Sequence, residues 1–558
     1  MAKKQKASRQ KIAFLGGLGE IGKNLTVFEY ENDIIIVDCG LGFPDEDMLG
    51  IDLVIPDVTY LEKNLDKIRG IFLTHGHEDH LGALPYVLRT VNVPIYGTRL
   101  TLGILENKLI EHRLENKVKL NTCEAGQIVR AGAFTVEFIR VNHSIADAVA
   151  FAIKSPAGTF VISGDFKIDM TPIQGDMTDL TRFGELGREG VTAFLCESTN
   201  AERPGFTPTE RKVGASLEQL FRGCKKRIVI ATFSSNIHRV QQIIDASKKH
   251  KRKVAIIGRS MVNIVSTALK LGYMNIPEDL LIDIEEIKRY RPDQITLITT
   301  GSQGESMSAL YRMAFGTSDK VKLSHEDLVV ISAHPIPGNE KTVGNIINEL
   351  LMRGVQVVYD QVAEVHVSGH ACQEEIKMLI ALIKPKFYVP IHGEYKHLVN
   401  NAELAKYMGI PQQNIFLPEL GKVLEIEPKG RSARFNGNVP AGKVLIDGSG
   451  VGDVGSIVLR DRRLLGADGI VMVVAAVDLV DRFLLSDPEI ISRGFIYVKE
   501  NEDLLNQAKQ RAKAVIEEGF DRGLDVAAVK NHLKDELSKF LYQKTKRRPM
   551  VLPTILSV

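Results

Sequence analysis

The chain has few cysteines, no C-x-x-C pair and no long apolar run. Its five cysteines are widely spaced, which argues against a disulfide framework and against a thiolate zinc site. No apolar run approaches the ~18 residues that a transmembrane helix requires, and the basic first residues are not followed by a signal-peptide segment. These absences predict a cytoplasmic protein with reduced thiols and no membrane partner.

An excess of charge of one sign is also lacking. The 71 Lys and Arg residues nearly balance 69 Asp and Glu residues, which gives a net charge of +2. This balance neither requires nor excludes a polyanionic partner, because a local basic groove can exist on a neutral protein. At 558 residues, of which 44% are apolar, the chain is too long for one core. We therefore expect three or four folding units.

The rhythm of apolar segments predicts an insertion. Short apolar runs between turns fill residues 12–170, which is typical of two sheets with helices packed outside. From about Thr207 helices and strands alternate, which predicts a parallel α/β domain to about Gly354; the earlier rhythm then returns. We expect a first domain in two parts (1–206 and 355–428), an inserted domain (207–354), a linker (429–448) and a C-terminal α+β domain (449–558).

A glycine pattern near the start has two readings. The segment "GGLGEIG" places Gly17, Gly19 and Gly22 in G-x-G-x-x-G spacing after a strand. A dinucleotide site requires a helix next, so that the helix N-terminus meets the pyrophosphate. The segment that follows, "KNLTVFEYENDIIIVDCG", instead favours a hairpin. The glycines therefore predict a tight turn close to an active site.

The segment "FLTHGHEDHLGALPYV" concentrates three histidines and two acids in six positions. In an extended segment His75 and His77 point the same way, so both imidazoles can bind one metal, while Asp79 and His80 can reach a second. Imidazole and carboxylate without thiolate favour zinc or manganese with positions open for water. A solvated loop with accidental histidines is the alternative, which this spacing after a strand disfavours.

Further ligand candidates follow other strands. They are His143 in "RVNHSIADA", Asp165 in "VISGDFKID" and His392 in "YVPIHGEY". Each alone is more often a structural residue. As a set in this order, they predict the additional donors that a two-metal centre requires.

Together these residues resemble the metallo-β-lactamase fold in its nucleic-acid-processing β-CASP branch. The motifs "LGGLGEIGKN", "CESTNAERPGFT", "ATFSSNIHRVQQ", "TGSQGE", "PIPGNE" and "HVSGHA" resemble the bacterial ribonuclease J family. The resemblance covers nearly the whole chain. It implies an α/β fold: a metallo-β-lactamase αββα sandwich, an inserted parallel α/β (β-CASP) domain and a small α+β C-terminal domain.

The resemblance also implies the metal ligands. Two Zn²⁺ ions per subunit are expected, with Mn²⁺ or Mg²⁺ as alternatives, and a hydroxide between them would attack the phosphorus in line. One ligand set is His75, His77 and His143, the other is Asp79, His80 and His392, and Asp165 lies between them. Asp79 is thereby expected to be catalytic as well as a ligand.

A proton donor is expected in "HVSGH". The family pattern implies His370 as the general acid for the leaving 3′ oxygen, oriented by Glu197 of "CESTNA". A carboxylate beside an imidazole fixes its tautomer and raises its pKa. Relatives often carry Asp at the Glu197 position, so the acid here has one additional methylene group. A surface acid at a strand end is the alternative interpretation of Glu197.

Two segments are candidates for binding the terminal 5′ phosphate of an RNA strand. "HVSGH" offers His366, Val367, Ser368, Gly369 and His370. "TFSSNIHR" places Ser234, Ser235 and Asn236 at a strand-to-helix junction, where free N–H groups attract anions. Helix capping explains Ser235 and Asn236 equally well.

The resemblance implies a zinc-dependent ribonuclease with 5′-to-3′ exonuclease and endonuclease activity in rRNA maturation and mRNA decay. It implies RNA with a 5′ monophosphate as substrate, and a homodimer or homotetramer, with assembly with a sister subunit as an alternative. A weakly active or non-catalytic partner subunit and a DNA-processing β-CASP nuclease are the alternatives. A structural Ca²⁺ is possible near Met48, Gly50 and Asp447, and the sequence assigns no role to His334.

Overall fold

The computed structural model describes residues 8–45, 47–336, 338–478 and 480–557. The chain forms two compact units. One contains the residues to Phe43 together with Val54–Val444, and the other contains Pro44–Leu53 and Leu445–Val558. Among the described residues, no helix combines the length and apolarity that crossing a membrane requires. The five cysteines are free thiols.

The apolar runs of the first domain form short strands. Up to Glu197 the elements are β1 (Gln10–Gly16), β2 (Leu25–Tyr30), β3 (Asp33–Val37), β4 (Leu53–Pro56), α1 (Thr59–Glu62), β5 (Ile68–Phe72), α2 (Glu78–Leu81), α3 (Leu84–Val87), β6 (Ile95–Gly97), α4 (Arg99–Glu111), β7 (Leu120–Thr122), β8 (Ile128–Ala131), β9 (Phe134–Arg140), β10 (Val149–Ser155), β11 (Gly158–Ile162), α5 (Leu180–Glu189) and β12 (Ala193–Glu197).

The alternating segment that follows has the expected βαβ order. Its elements are α6 (Arg211–Phe221), β13 (Arg227–Ala231), α7 (Ile237–Lys249), β14 (Lys253–Ile257), α8 (Arg259–Leu271), β15 (Ile295–Thr299), α9 (Ala309–Ala314), β16 (Asp327–Ile331), α10 (Glu340–Met352) and β17 (Gln356–Tyr359). The five strands form one parallel sheet in the order β14-β15-β13-β16-β17. The three inner strands β15, β13 and β16 are almost continuously buried, which fits a parallel sheet covered on both faces.

The remaining elements complete the first domain and form the C-terminal part. They are α11 (Gln373–Ile383), β18 (Phe387–Ile391), α12 (Tyr395–Tyr407), β19 (Lys422–Ile426), β20 (Ala433–Asn438), β21 (Lys443–Asp447), β22 (Gly450–Val451), α13 (Ser456–Asp468), β23 (Ile470–Asp478), β24 (Phe483–Leu484), β25 (Glu489–Arg493), α14 (Glu502–Asp521), α15 (Val526–Thr545) and β26 (Met550–Ser557).

Two sheets pack face to face in the first domain. The eight-stranded sheet has the order β20-β19-β1-β2-β3-β5-β6-β7, and the six-stranded sheet has the order β18-β12-β11-β10-β9-β8. Aromatic side chains of both sheets meet between them, as in the pairs Phe28–Phe160 and Phe72–Phe138. Helices α5, α11 and α12 cover the outer face of the six-stranded sheet, and α4 packs against β6 and β7. The expected sandwich is confirmed.

The stretch 429–448 differs from the expected linker. Strand β20 pairs with β19 and extends the eight-stranded sheet, and β21 pairs with β22. Ala433 and Phe435 alternate with exposed residues and pack against the core of the sandwich. The Gly- and Arg-rich composition hid this pattern because only alternate residues of the edge strand carry apolar side chains.

The C-terminal part has the α+β character that its sequence predicts. Strand β23 alternates buried and half-buried residues, and it pairs antiparallel with β24 and β25 and parallel with β26. Helix α15 buries residues at a four-residue spacing, Val529, Leu533, Leu537 and Leu541, against α14 and the sheet.

Candidate metal centre

Strand ends deliver the candidate residues to one edge of the sandwich. Strands β11, β12 and β18 are parallel to one another, and β9 runs the same way because β10 is antiparallel to both β9 and β11. Their carboxyl ends therefore meet at one edge. Residues at or just after strand ends on this side are Asp38, His75, His143, Asp165, Glu197 and His392.

A first group of donors consists of three imidazoles and one carboxylate. The Nδ1 atom of His77 lies 3.0 Å from His75 Nε2 and 3.1 Å from His143 Nε2. The Oδ2 atom of Asp165 lies 3.7 Å from His75 Nε2 and 3.6 Å from His143 Nε2. All four donor atoms lie within 4.8 Å of one another. This group can hold one metal ion.

A second group shares Asp165. Its Oδ2 atom lies 3.2 Å from His80 Nε2, and its Oδ1 atom lies 2.7 Å from His392 Nδ1. The Oδ2 atom of Asp79 lies 3.5 Å from His80 Nε2 and 3.3 Å from His392 Nε2. Asp79 and His80 lie in the short helix α2, which starts at Glu78, and both contribute to the second group. The local sequence H-x-H-x-D-H thus serves both groups.

The electrostatics of the first group fit a cation. Burial and the neighbouring imidazoles lower the pKa of His77 to about 4, although Asp79 and Asp165 oppose this shift. The same two causes hold the pKa values of His75 and His143 well below the ordinary range. These imidazoles are therefore neutral near pH 7, and ring nitrogens that converge at 3.0 and 3.1 Å are suited to binding a shared cation.

In the second group, carboxylates and imidazoles favour each other's charged forms. Burial opposes charge on His392, but Asp165 and Asp79 outweigh it and raise its pKa to about 10. Burial likewise opposes ionisation of Asp79, yet His80 and His392 hold the pKa of this carboxyl well below its usual range. Buried carboxylates of this kind are suited to a divalent cation.

A sixth imidazole, that of His370, lies beside the two groups. His370 Nδ1 is 2.8 Å from Glu197 Oε2 and 3.8 Å from Asp165 Oδ2. Glu197 ends β12, is 1% exposed, and its other oxygen accepts the Phe166 N–H at 2.9 Å. A buried carboxylate with two donors is not the surface acid that the alternative interpretation supposed.

Family profiles match the chain in four segments. The profile described as "Metallo-beta-lactamase superfamily" matches residues 18–176, and "Ribonuclease J, beta-CASP domain" matches residues 225–350. "Zn-dependent metallo-hydrolase RNA specificity domain" matches residues 354–418. "Ribonuclease J C-terminal domain" matches residues 457–558. The domain limits expected from the sequence stay predictions.

Full-length relatives decide the family. The chain is 42% identical to ribonuclease J2 of Bacillus subtilis (strain 168) over 557 residues, which cover 100% of both chains. It is 42% identical to ribonuclease J 1 of Streptococcus pyogenes, with 97% of each chain covered. The chain belongs to the ribonuclease J family. It is also 41% identical to ribonuclease J of Synechocystis, covering 99% of this chain and 87% of that one.

A solved structure supports the fold of this ribonuclease J family member. A crystal structure of a protein of unknown function from Enterococcus faecalis V583 matches with a TM-score of 0.55. The match has 17% sequence identity and covers 75% of this chain and 100% of that chain. At this identity the likeness concerns the fold alone.

The "HVSGH" segment of this ribonuclease J homologue packs against the first group. The Gly369 carbonyl accepts the Nδ1–H of His143 at 2.7 Å, which directs Nε2 of His143 towards the other donors. A Cβ atom on Gly369 would lie 2.7 Å from the His143 ring, so the approach requires glycine. Asn200 donates to Ser368 Oγ at 2.8 Å and to the His370 carbonyl at 3.1 Å.

The "TFSSNIHR" segment contacts the "HVSGH" loop through Arg239, which was not among the residues that the sequence predicted for the site. Asn236 caps helix α7 by accepting the N–H of Arg239 at 3.1 Å, so the capping interpretation of Asn236 applies. Ser234 and Ser235 precede this cap. The Arg239 side chain donates to His366 Nδ1 at 2.9 Å and to the Val367 carbonyl at 3.3 Å.

Asp38 is a further residue that the sequence reasoning missed. It follows β3 in the left-handed region (φ 60°), and its Oδ2 atom lies 2.8 Å from His80 Nδ1. Its two oxygens also accept the N–H and hydroxyl of Thr74, each at 2.8 Å. The available signal was an acid directly after the apolar strand "DIIIV". Asp38 orients His80 so that Nε2 faces Asp165.

The glycine turn lies close to the candidate centre. A hairpin of β2 and β3 follows it, so the G-x-G-x-x-G pattern does not open a helix. Leu18 and Glu20 of the turn form bridges to Gly393, next to His392. The dinucleotide interpretation is therefore excluded.

The structure gives contacts for His334 and for the suggested calcium position. His334 Nδ1 lies 2.5 Å from Asp360 Oδ2, and its ring centroid is 6.5 Å from that of His366. At the suggested calcium position, Arg462 pairs with Asp447 and donates to the Leu49 carbonyl at 2.9 Å. A guanidinium thus already neutralises Asp447.

Proposed function

We propose that the protein is a metal-dependent ribonuclease that degrades RNA from 5′-monophosphorylated ends towards the 3′ end and also cuts internally. We place this activity in the cytoplasm, in rRNA maturation and mRNA decay. The convergence of seven histidine and aspartate donors beside the Glu197–His370 pair carries the proposal. The RNA specificity profile over residues 354–418 and the names of the relatives support RNA over DNA.

The two groups of donors fit two divalent cations that share Asp165. Imidazole and carboxylate donors suit zinc, with manganese as the alternative. When bound, such a pair lowers the pKa of water and neutralises charge on a phosphate. The residues that would hold it are His75, His77 and His143 in one group, Asp79, His80 and His392 in the other, and Asp165 in both.

His370 is suited to protonate the leaving 3′ oxygen. Because a carboxylate only accepts, Glu197 takes the Nδ1–H of His370, and the Nε2 atom remains to give a proton. Burial disfavours the charged imidazole, but Glu197 and Asp165 outweigh burial and raise the pKa of His370 above its ordinary value. A protonated imidazole near neutral pH is what general acid catalysis needs.

The 5′ phosphate would bind beside "HVSGH". His366 and Ser368 are half-buried polar side chains of this loop, and Arg239 connects the loop to the first turn of α7, which Ser234 and Ser235 precede. Hydroxyl and imidazole donors near a helix N-terminus favour an anion.

We also propose that the chain assembles into a homodimer or homotetramer. In the C-terminal part, Ile457, Leu464 and Leu465 of α13 and Val480 and Phe483 near β24 are exposed. Exposed apolar side chains of this kind are typical of an interaction surface. Light scattering on the full chain measures the assembly state, and a monomer at all concentrations would exclude the assembly.

The activity is tested with RNA labelled at its 3′ end and carrying either a 5′ monophosphate or a 5′ triphosphate. Wild type, His77→Ala and His370→Ala are compared, with single-stranded DNA as a control substrate. Stepwise loss of the monophosphate RNA, abolished in both variants, is the expected result. Internal cuts on both RNAs without stepwise loss of the monophosphate RNA would limit the protein to endonuclease activity. No cleavage by metal-loaded wild type would favour a non-catalytic partner subunit.

A further inference from the structure

The "HVSGH" loop is held at two places by two different parts of the larger unit. At its second half, the contacts come from the region where the insertion begins: Asn200 and Thr207 donate to the His370 carbonyl at 3.1 and 2.6 Å. At its first half, the contacts come from the interior of the inserted segment: Ser332 donates to the carbonyl of Val365, the residue before the loop, at 2.6 Å, and Arg239 donates to His366. The His366 half therefore depends on the inserted segment for its position.

Arg239 is fixed before it reaches His366. Its side chain is 0% exposed, and Glu210 accepts from Nε at 2.8 Å and from Nη2 at 2.9 Å in a bidentate pair. The Nη1 atom donates to the Ser332 carbonyl at 2.8 Å as well as to His366 Nδ1 at 2.9 Å. A planar guanidinium with this many partners has one orientation.

This contact has a consequence for the proton on His366. A guanidinium carries only N–H donors and does not lose its proton in proteins, so the Nδ1 atom of His366 has to accept. The proton of the neutral ring then resides on Nε2. Burial and the adjacent Arg239 charge also hold the pKa of His366 well below the ordinary range, which disfavours a second proton.

We propose that Arg239 is a positioning residue of the phosphate subsite: it holds His366 as the neutral Nε2–H tautomer, so that this imidazole donates to a substrate phosphate. The phosphate contact in this inference rests on the proposed function. The tautomer of His366 does not, because it follows from the contact with Arg239. A ring with the opposite tautomer would present a lone pair at Nε2 and repel a phosphate oxygen. Arg239 thus selects an anion for this position without placing a charge on His366.

The test uses the full-length, metal-loaded protein with ¹⁵N-labelled histidine. The signals of His366 are assigned by their absence in His366→Asn. In wild type the Nδ1 signal should be that of an unprotonated nitrogen and the Nε2 signal that of a protonated one. Arg239→Met removes the donor at similar length and should mix the two tautomers. Arg239→Lys, which keeps a charge and N–H donors, should retain more of the wild-type pattern.

Kinetics on the same variants report the phosphate contact. Arg239→Met should raise KM for 5′-monophosphate RNA roughly tenfold, the size of one hydrogen bond to a charged group, with little change in kcat. KM for 5′-hydroxyl RNA should not change. The KM of Arg239→Lys for 5′-monophosphate RNA should lie between the values of wild type and Arg239→Met.

Arg252→Met is the matched control. Arg252 is a second buried arginine of the inserted segment, 2% exposed, and it donates to the carbonyls of Cys224, Lys226 and Ile295. Its loss should reduce stability and leave both the His366 signals and KM unchanged.

An Nδ1–H tautomer or an imidazolium in wild type at pH 7 would overturn the proposal, as would an unchanged pattern in Arg239→Met. If Arg252→Met changed the His366 signals and the KM as much as Arg239→Met does, Arg239 would act only through general stability. That result would also overturn the proposal. A changed tautomer with unchanged KM for monophosphate RNA would keep the tautomer assignment and overturn the phosphate role of His366.

Discussion

The Oε2 atom of Glu197 lies 2.8 Å from Nδ1 of His370, although 173 positions separate these residues in the chain. The carboxylate is buried, whereas the imidazole is 23% exposed. An exposed ring edge held from behind by a buried acid has one orientation and one transferable proton. This geometry suits a proton donor at the border between the metal groups and the substrate.

Glu197→Gln tests that relationship. The amide keeps the size of the side chain but removes the charge that favours the protonated imidazole, so kcat should fall by at least ~10²-fold. Metal content, measured by mass spectrometry, should not change. Glu375→Gln is the control, since Glu375 is equally buried and accepts the backbone N–H groups of Ile168, Thr207 and Cys372 rather than an imidazole N–H. A wild-type kcat in Glu197→Gln would remove His370 from the role of general acid.

Asp165→Asn should have a larger effect on metal content than any single histidine change. Asp165 belongs to both groups of donors, whereas His75 belongs to one. We expect Asp165→Asn to lose both metals and His75→Ala to lose one, because the second group remains complete. Metal-to-protein ratios after gel filtration measure this. His112→Ala serves as the control, since His112 packs on Tyr86 outside the groups. Equal losses in both ligand variants would contradict a shared carboxylate.

Asp38→Asn should weaken one metal site selectively. Asp38 contacts His80 but none of the first group's imidazoles among the described hydrogen bonds. Loss of a carboxylate behind a ligating histidine typically costs 10–100-fold in affinity. Competition with a chromogenic chelator measures the two affinities. Asp33→Asn is the control, because Asp33 begins the strand that Asp38 follows. It should leave the affinities of both metal sites unchanged. An equal loss of affinity at both metal sites would show that Asp38 stabilises the fold rather than orienting His80.

Arg462→Ala should destabilise the smaller unit. Its guanidinium pairs with Asp447 and donates to the Leu49 carbonyl, and because the pair is partly exposed the loss should be about 1 kcal/mol. The neighbouring Arg463 forms a half-exposed pair with Asp47, so Arg463→Ala should cost under ~0.5 kcal/mol. Thermal unfolding measures both.

The same experiment addresses the possible structural calcium. Because Arg462 already neutralises Asp447, neither added Ca²⁺ nor a calcium chelator should move the melting temperature of the wild type. A rise with Ca²⁺ in the wild type would revive a calcium site at this place.

Local sequence patterns predicted much of the site because their information is short-ranged. Alternation within an extended segment brought His75 and His77 together in the first group. Asp79 and His80, in the helix that starts at Glu78, belong to the second group. The hairpin after the glycine turn was likewise readable from its β-branched residues. Edge strand β20 was missed because its apolar pattern is short and interrupted by glycine and charge.

The sequence by itself determined the kinds of donor atoms, their order along the chain and the alternation of elements, since these depend on residue type and on neighbours a few positions away. The family resemblance already implied the shared position of Asp165, whereas the tertiary structure alone decided that Asp38 orients His80 and that Arg239 donates to His366. Hydrogen-bond directions and tautomers depend on groups that folding brings from distant segments. The spacing of residues along a chain does not contain that information.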